Sequence, residues 1–289
     1  MKSLGLALGG GGMRGMAHIG ILQVLWDHGL TPEFISGTSV GSIMAAFYAA
    51  GISPYRLEKI VLGLKPTDYL DYNIGGTIKY LFSLVCPGYD TALNGVLQGN
   101  KIEKIIYRYT KGKKLKDMPL PLAIVACDID TGKKVIFTNQ DIDYEQADVV
   151  IIKDALVSEA VRASISIPVT FKPKHLQGMQ MVDGGIKDIL PVTVNKVMGA
   201  DYVLGVNLGR EIYDTKVEGI LQIVSRTLSI LTYETSDLAE EIYADMIIYP
   251  KINGARLEDI GKAGIFIRAG RRAMKEKLNE LKQGLKESG

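Results

Sequence analysis

Gly37-Thr38-Ser39-Val40-Gly41 follows the short apolar run Phe34-Ile35-Ser36 and leads into helix-forming sequence. A Gly-X-Ser-X-Gly set in that context reads as a nucleophile elbow, a sharp strand-to-helix reversal whose glycines allow close backbone approach and unusual dihedrals. The turn presents the Ser39 hydroxyl at the start of the next helix, where backbone amides and the helix dipole favour developing negative charge. A tight turn with an incidental serine would carry the same five residues, so the chemistry rests on what surrounds them.

Upstream, Gly9-Gly10-Gly11-Gly12-Met13-Arg14-Gly15 follows a short apolar strand over residues 4–8 and precedes a helix. Gly10, Gly12 and Gly15 satisfy the dinucleotide pattern Gly-X-Gly-X-X-Gly, so a nucleotide-binding oxidoreductase competes at this point. That reading needs an acid about 20 residues on, at the end of the second strand, to hold the ribose hydroxyls. Gly37, Thr38 and Ser39 occupy that place, and Glu33 sits at the wrong end of the strand. The loop serves a hydrolase equally well, because successive glycine amides aimed at one point make an oxyanion hole. Arg14 reads as a brace for the loop, with contact to a substrate phosphate as the alternative role.

A serine hydroxyl at neutral pH needs a base. The three histidines are His18, His28 and His175. In an α/β-hydrolase triad the histidine comes late in the chain, and none follows His175. Asp154 with His175 completes a triad formally, but Lys174-His175-Leu176-Gln177-Gly178 reads as a turn between extended segments. His18 and His28 fall on the first helix. A carboxylate is the better candidate: Asp183 ends an apolar strand, two glycines follow it, and strand ends at that edge of a parallel sheet converge on active sites. A free aspartate has a pKa of about 3.9, so burial would have to raise its basicity.

The elements around these residues alternate as strand, glycine loop, helix, strand, elbow and helix, which implies a parallel sheet with crossover helices. Residues 16–27 carry Ile19, Leu22 and Trp26 at helical spacing, residues 33–36 are a strand, and residues 42–50 are the elbow helix. Residues 53–116 change character to short helical stretches broken by glycine and proline. Within them residues 78–85 are apolar enough to line a cleft or touch lipid, though an ordinary helical layer with its apolar face in the core explains them more simply. The basic cluster Arg108, Lys111, Lys113, Lys114 and Lys116 reads as a solvated turn. Residues 122–127 and 135–138 form a hairpin, 151–163 a helix, and 179–182, 202–206 and 246–249 strands. Residues 220–242 read as a long amphipathic helix and 269–285 as a charged surface helix. With no repeat or linker, a single domain is the economical reading.

Composition bounds the class. A chain of 289 residues, 47% hydrophobic and 23% charged, is a folded protein of enzyme size. The net charge of +2 gives no reason to expect nucleic acid as a partner. Cys86 and Cys127 lack metal-ligand spacing or disulfide density and read as reduced and buried, which fits a cytoplasmic setting. The start of the chain enters a strand without a secretory pattern, and no run of about 18 apolar residues occurs. Peripheral contact with the inner membrane surface stays open.

The glycine loop, the elbow and Asp183-Gly184-Gly185 together resemble, in order and spacing, the patatin-like phospholipases, and Ala163-Ser164 with Pro168 is similar to that family's segment ahead of the aspartate strand. The resemblance covers residues 4–200, taken as the catalytic domain, with residues 201–289 as a strand and helical extension packed on it. It implies a three-layer α/β/α fold with a mostly parallel sheet. It also implies a serine acyl hydrolase of phospholipase A, lysophospholipase or esterase type, acting on a lipid or acyl ester through a Ser-Asp dyad with no cofactor and no metal. On this resemblance Ser39 is the nucleophile, Asp183 the base, and the amides of Gly10, Gly11 and Gly12 the oxyanion hole. Arg14, Gly15, Gly37, Gly41, Gly184 and Gly185 support the motifs. Many members place asparagine before the proline that follows Asp-Gly-Gly, whereas this chain has Lys187-Asp188-Ile189-Leu190-Pro191. A noncatalytic lipid-binding protein keeping the fold is the other alternative.

Overall fold

The computed structural model describes residues 1–76, 95–144, 148–209, 216–234, 242–252 and 259–286. Its centre is a nine-stranded sheet in the order β5-β4-β3-β2-β1-β8-β9, with β7 on β3 and β6 on β7. The strands are β1 (Leu4–Leu8), β2 (Phe34–Thr38), β3 (Leu122–Asp128), β4 (Lys134–Thr138), β5 (Val149–Ile152), β6 (Lys174–Leu176), β7 (Met179–Asp183), β8 (Tyr202–Val206) and β9 (Met246–Ile248). Strands β1, β2, β3, β8 and β9 pair in parallel, as do β4 and β5. The β3–β4, β3–β7 and β6–β7 ladders are antiparallel. Central strands covered on both faces read as unbroken apolar runs, and β1, β3 and β8 are buried along their whole length.

Alternation along β1 separates the two faces. Leu4, Leu6 and Leu8 enter the large core shared with helices α1 (Ala17–Asp27), α2 (Val40–Ala49), α3 (Pro54–Leu62), α5 (Asn100–Tyr109), α6 (Val157–Ser164) and α9 (Ala263–Gly284). A short α4 (Pro66–Tyr69) lies between α3 and α5. Ala7 faces the other way, onto Leu190, Val192 and Val203, where α7 (Val192–Val197) covers the sheet. This is the three-layer α/β/α arrangement with a mostly parallel sheet. Helices α1 and α9 cross where Gly20 and Gly270 leave no room for a side chain: a Cβ on either would strike the backbone of the other helix.

Strand β8 lies between β1 and β9, so residues after 200 contribute sheet as well as surface. Helix α8 (Ile220–Glu234) covers the first part of the expected 220–242 helix, and residues 235–241 of it fall outside those described. The same holds for residues 78–85 and for Cys86; Cys127 is buried with a free thiol. One expectation is corrected. Residues 151–152 do not begin a helix but end β5, because the β-branched run Val149-Val150-Ile151-Ile152 packs better on a pleated edge, and α6 starts only after Leu156. The turn expected around His175 is a hairpin, with β6 and β7 joined through Gln177-Gly178, both at positive φ. Among the described residues no helix is long and apolar enough to cross a membrane.

Candidate active site

Strand β3 brings the serine and the aspartate together. Its Val125 pairs with Thr38, the last residue of β2, and its next residue, Ala126, pairs with Asp183 at the end of β7. Strand β2 stops where β7 begins, so the chain reversal after Thr38 and the carboxylate of Asp183 meet at one point along β3.

Ser39 sits in that reversal with φ 54° and ψ −128°, immediately before α2. An L-residue there carries about 1–3 kcal/mol of strain, which the surroundings must hold in place. Three contacts do so. The Ser39 amide donates to Ser164 Oγ at 2.9 Å, Ser164 Oγ donates to the Val125 carbonyl at 2.6 Å, and Ser42 Oγ donates to the Ser39 carbonyl at 2.6 Å. Gly41 is required by close approach, since a Cβ would run into the carbonyl of Leu8, and Gly37 faces the backbone of Gly41 in the same way.

Asp183 is buried. Its Oδ1 accepts from the Gly185 amide at 2.8 Å, whereas Oδ2 is buried with no hydrogen-bond partner. The Ser39 hydroxyl lies close enough to lower the pKa of this carboxyl, yet it does not meet hydrogen-bond geometry at Oδ2. Burial outweighs both stabilising neighbours and pushes Asp183 up to about 6. An ionised carboxylate there at neutral pH is a far better proton acceptor than one in water. Gly184 passes over the Val125 carbonyl, and Thr232 of α8 closes over Gly185.

The glycine loop lies beside the elbow. Gly12 has φ 57°, in the region that favours glycine, and the amides of Gly11 and Gly12 have no acceptor among the described residues. The Gly10 amide differs from the expectation: it donates to the Ile189 carbonyl at 2.9 Å, because the segment after Gly185 folds back over β1. Gly15 packs on Val40, the first residue of α2. Arg14, buried, donates to Gly209 O at 2.8 Å and, at 3.4 Å, to Leu208 O and Gly11 O, so it braces the loop against the end of β8.

The departure at residues 187–191 has a physical account. Asp188 pairs with Lys134 at 2.9 Å, and Tyr144 also accepts from that ammonium, at 3.1 Å. Burial works to lower the Lys134 pKa, but Asp188 and Tyr144 hold it above the ordinary value. Thr38 Oγ1 donates to Asp188 O at 2.8 Å, and Ser36 Oγ donates to Pro191 O at 2.9 Å. These bonds fasten the segment that supplies Ile189 O to the strand that ends in the elbow.

None of the histidines is placed as a base for Ser39. His18 is fully buried, donates from Nε2 to Gly9 O at 2.8 Å, and is held neutral by burial with its pKa near 4, despite that bond working the other way. His28 donates from Nδ1 to Val24 O at the end of α1. His175 is exposed on the β6–β7 hairpin, and Asp154 is taken by Lys114 at 2.7 Å on the surface. From the hydroxyl of Ser39 a cavity of about 130 Å³ runs between α2, α3 and α5, lined by Met44, Phe47, Val61, Ile106 and Phe171 among other apolar side chains. Sequence reasoning missed the parts played by Ser164, Ile189 and Thr232. Ser164 stood in a segment already singled out, but nothing in its neighbours told which backbone it would meet.

The model of the patatin-like phospholipase family matches residues 6–195. The chain belongs to the patatin-like phospholipase family. A member of the NTE family from Mycobacterium tuberculosis, uncharacterized, is 31% identical over 203 residues, 70% of this chain and 48% of that protein. A lysophospholipase of Scheffersomyces stipitis is 27% identical over 208 residues, 72% of this chain and 12% of its own length. The chain therefore spans about half or less of these patatin-like relatives. Among solved structures, VipD from Legionella pneumophila superposes with a TM-score of 0.54 at 15% identity, covering 96% of this chain and 67% of that one, which shows the shared fold.

Proposed function

We propose that this protein is a serine acyl hydrolase that cleaves carboxylic esters of lipids through a covalent acyl-enzyme. The observation that carries the reading is the buried, unpartnered Oδ2 of Asp183 beside the Ser39 hydroxyl, at the end of a cavity walled by hydrocarbon. The name of the Scheffersomyces lysophospholipase points to the same class of substrate.

In this mechanism Asp183 takes the Ser39 proton as Oγ adds to the ester carbonyl. The oxyanion is met by the amides of Gly11 and Gly12, each such donor contributing about 3 kcal/mol in comparable sites. The protonated Asp183 then gives its proton to the departing alkoxide, which leaves the acyl chain on Ser39 and in the apolar cavity. Water enters, loses a proton to Asp183, and attacks the acyl carbon; the Ser39 alkoxide regains that proton as the acid leaves. A carboxylate of pKa near 6 is suited to both transfers.

Fluorophosphonate labelling read by intact mass tests the proposal. One adduct on the wild type, lost in Ser39→Ala and in Asp183→Asn, is the expected result. A folded wild type that takes no adduct and turns over no ester overturns it and favours a noncatalytic lipid-binding role.

A further inference from the structure

The cavity beside Ser39 has part of its wall at the C-terminal end of α3 and at the turn before α9, where Ile60, Leu64 and Ile260 line it. The outer surface at that place is unusual in two ways. Leu62 and Ile265 are 53% and 56% exposed, on adjoining helix ends. From Ile265 onward α9 turns a basic stripe to solvent, with Arg268, Arg272 and Lys275 following it on one face. Leu62 and the Arg268 guanidinium lie within 4 Å of one point, the place a Cβ on Gly264 would occupy, so the apolar and basic parts are continuous.

Charge balance along α9 is one-sided. Its 22 residues hold six lysines and arginines against two glutamates. Glu276 pairs with Arg272 at 2.9 Å, and Glu58 lies 3.7 Å from Arg271. Arg268 and Lys275 have no acidic partner among the described residues, nor do Arg56 and Lys59 on the exposed side of α3. Arg268, Arg271, Arg272 and Lys275 together border a shallow, open depression whose one acidic wall residue, Glu276, is already paired with Arg272.

We infer that the α3–α9 face docks on an anionic phospholipid bilayer, with Arg268, Arg272 and Lys275 against headgroup phosphates and Leu62 and Ile265 entering the interface. The inference rests on the acyl hydrolase reading for its purpose: a hydrocarbon-lined cavity receives an acyl chain most directly when its wall abuts the bilayer that supplies the chain. Charge and apolarity side by side are what such a surface requires, since basic residues add attraction to anionic lipid and exposed aliphatic side chains add burial.

The test uses the full chain carrying Ser39→Ala, sedimented with vesicles of phosphatidylcholine alone or with about one third phosphatidylglycerol. Binding is expected only to the anionic vesicles and to weaken with salt. The combination Arg268→Glu, Arg272→Glu and Lys275→Glu is expected to lower that binding about 100-fold, and Leu62→Gln with Ile265→Gln about 10-fold. Hydrolysis of a soluble short-chain ester by the same variants with Ser39 restored reports on the fold and the catalytic centre separately. Equal binding to both vesicle types, no binding to either, or full binding by the charge-reversed protein overturns the docking face whether or not the ester is cleaved. Anionic-vesicle binding lost on charge reversal, with no ester turnover by the wild type, supports the face and overturns the hydrolase reading instead.

Discussion

Ser39 and Asp183, 144 positions apart in the chain, are held next to each other by consecutive residues of one strand: Val125 pairs with the residue before Ser39, and Ala126 pairs with Asp183 itself. Neither residue reaches the other through its own local structure. A change that shifts β3 by one residue would separate them, because strand partners move in register.

The rate should follow Asp183. Because burial lifts its pKa to about 6, kcat/KM for a soluble ester is expected to fall on the acid side through a single ionisation near that value. His175→Ala should leave the profile unchanged. An acid limb that vanishes with His175 would move the base to that imidazole.

Asp183→Asn should abolish turnover and raise stability. The folded pKa of about 6 exceeds the ordinary 3.8, so ionising this buried group costs the folded state on the order of 3 kcal/mol above pH 6, and nothing below pH 4 where both states are protonated. The variant should therefore melt higher than wild type at pH 8, with the gain shrinking as pH falls from 6 to 4. Thermal melts across that range read it directly.

His18 works in the opposite direction. Its folded pKa near 4 lies below the ordinary 6.5, so the unfolded chain takes up a proton first and stability drops as pH falls from 6.5 to 4, again by on the order of 3 kcal/mol. His18→Gln can keep the donor to Gly9 O while removing the titration. The stability difference between variant and wild type should move in the variant's favour below pH 6.5, opposite in slope to that of Asp183→Asn.

Strain at Ser39 predicts an order of stabilities. At φ 54° and ψ −128° glycine is unstrained and alanine is not. Ser39→Gly should be more stable than Ser39→Ala by about 1 kcal/mol in denaturant titrations, both being inactive. Equal stabilities would mean that the elbow relaxes once the hydroxyl is gone.

Ser164→Ala removes the acceptor for the Ser39 amide and leaves that amide buried and unpaired, a loss of about 1–3 kcal/mol. Fluorophosphonate labelling should slow about tenfold, since the nucleophile is no longer fixed against β3, while a residue that only fills space would leave the labelling rate unchanged.

Filling the cavity should change chain-length preference. Ile102, a partly exposed wall residue of α5, can be enlarged without crowding the inner core. Ile102→Trp is expected to lower kcat/KM for long acyl chains about tenfold relative to a two-carbon acyl ester.

The sequence by itself carried whatever is decided by a few neighbouring residues. The apolar runs of β1, β3 and β8 could only be covered strands, and the glycine spacing in residues 37–41 could only be a strand tightly reversed into a helix. The Asp-Gly-Gly after an apolar run marked the end of another strand. Local preference also misled at residues 151–152, where a helix-like continuation hid a β-branched edge strand. What only the tertiary structure decided was partnership. The Gly10 amide meets Ile189, the Ser39 amide meets Ser164, Asp188 meets Lys134, and Asp183 keeps one oxygen bare. Each joins residues that are more than 50 positions apart or depends on which groups fail to arrive. Hydrophobic period and turn chemistry act over a few residues, whereas the desolvation that raises Asp183 comes from every segment packed around it.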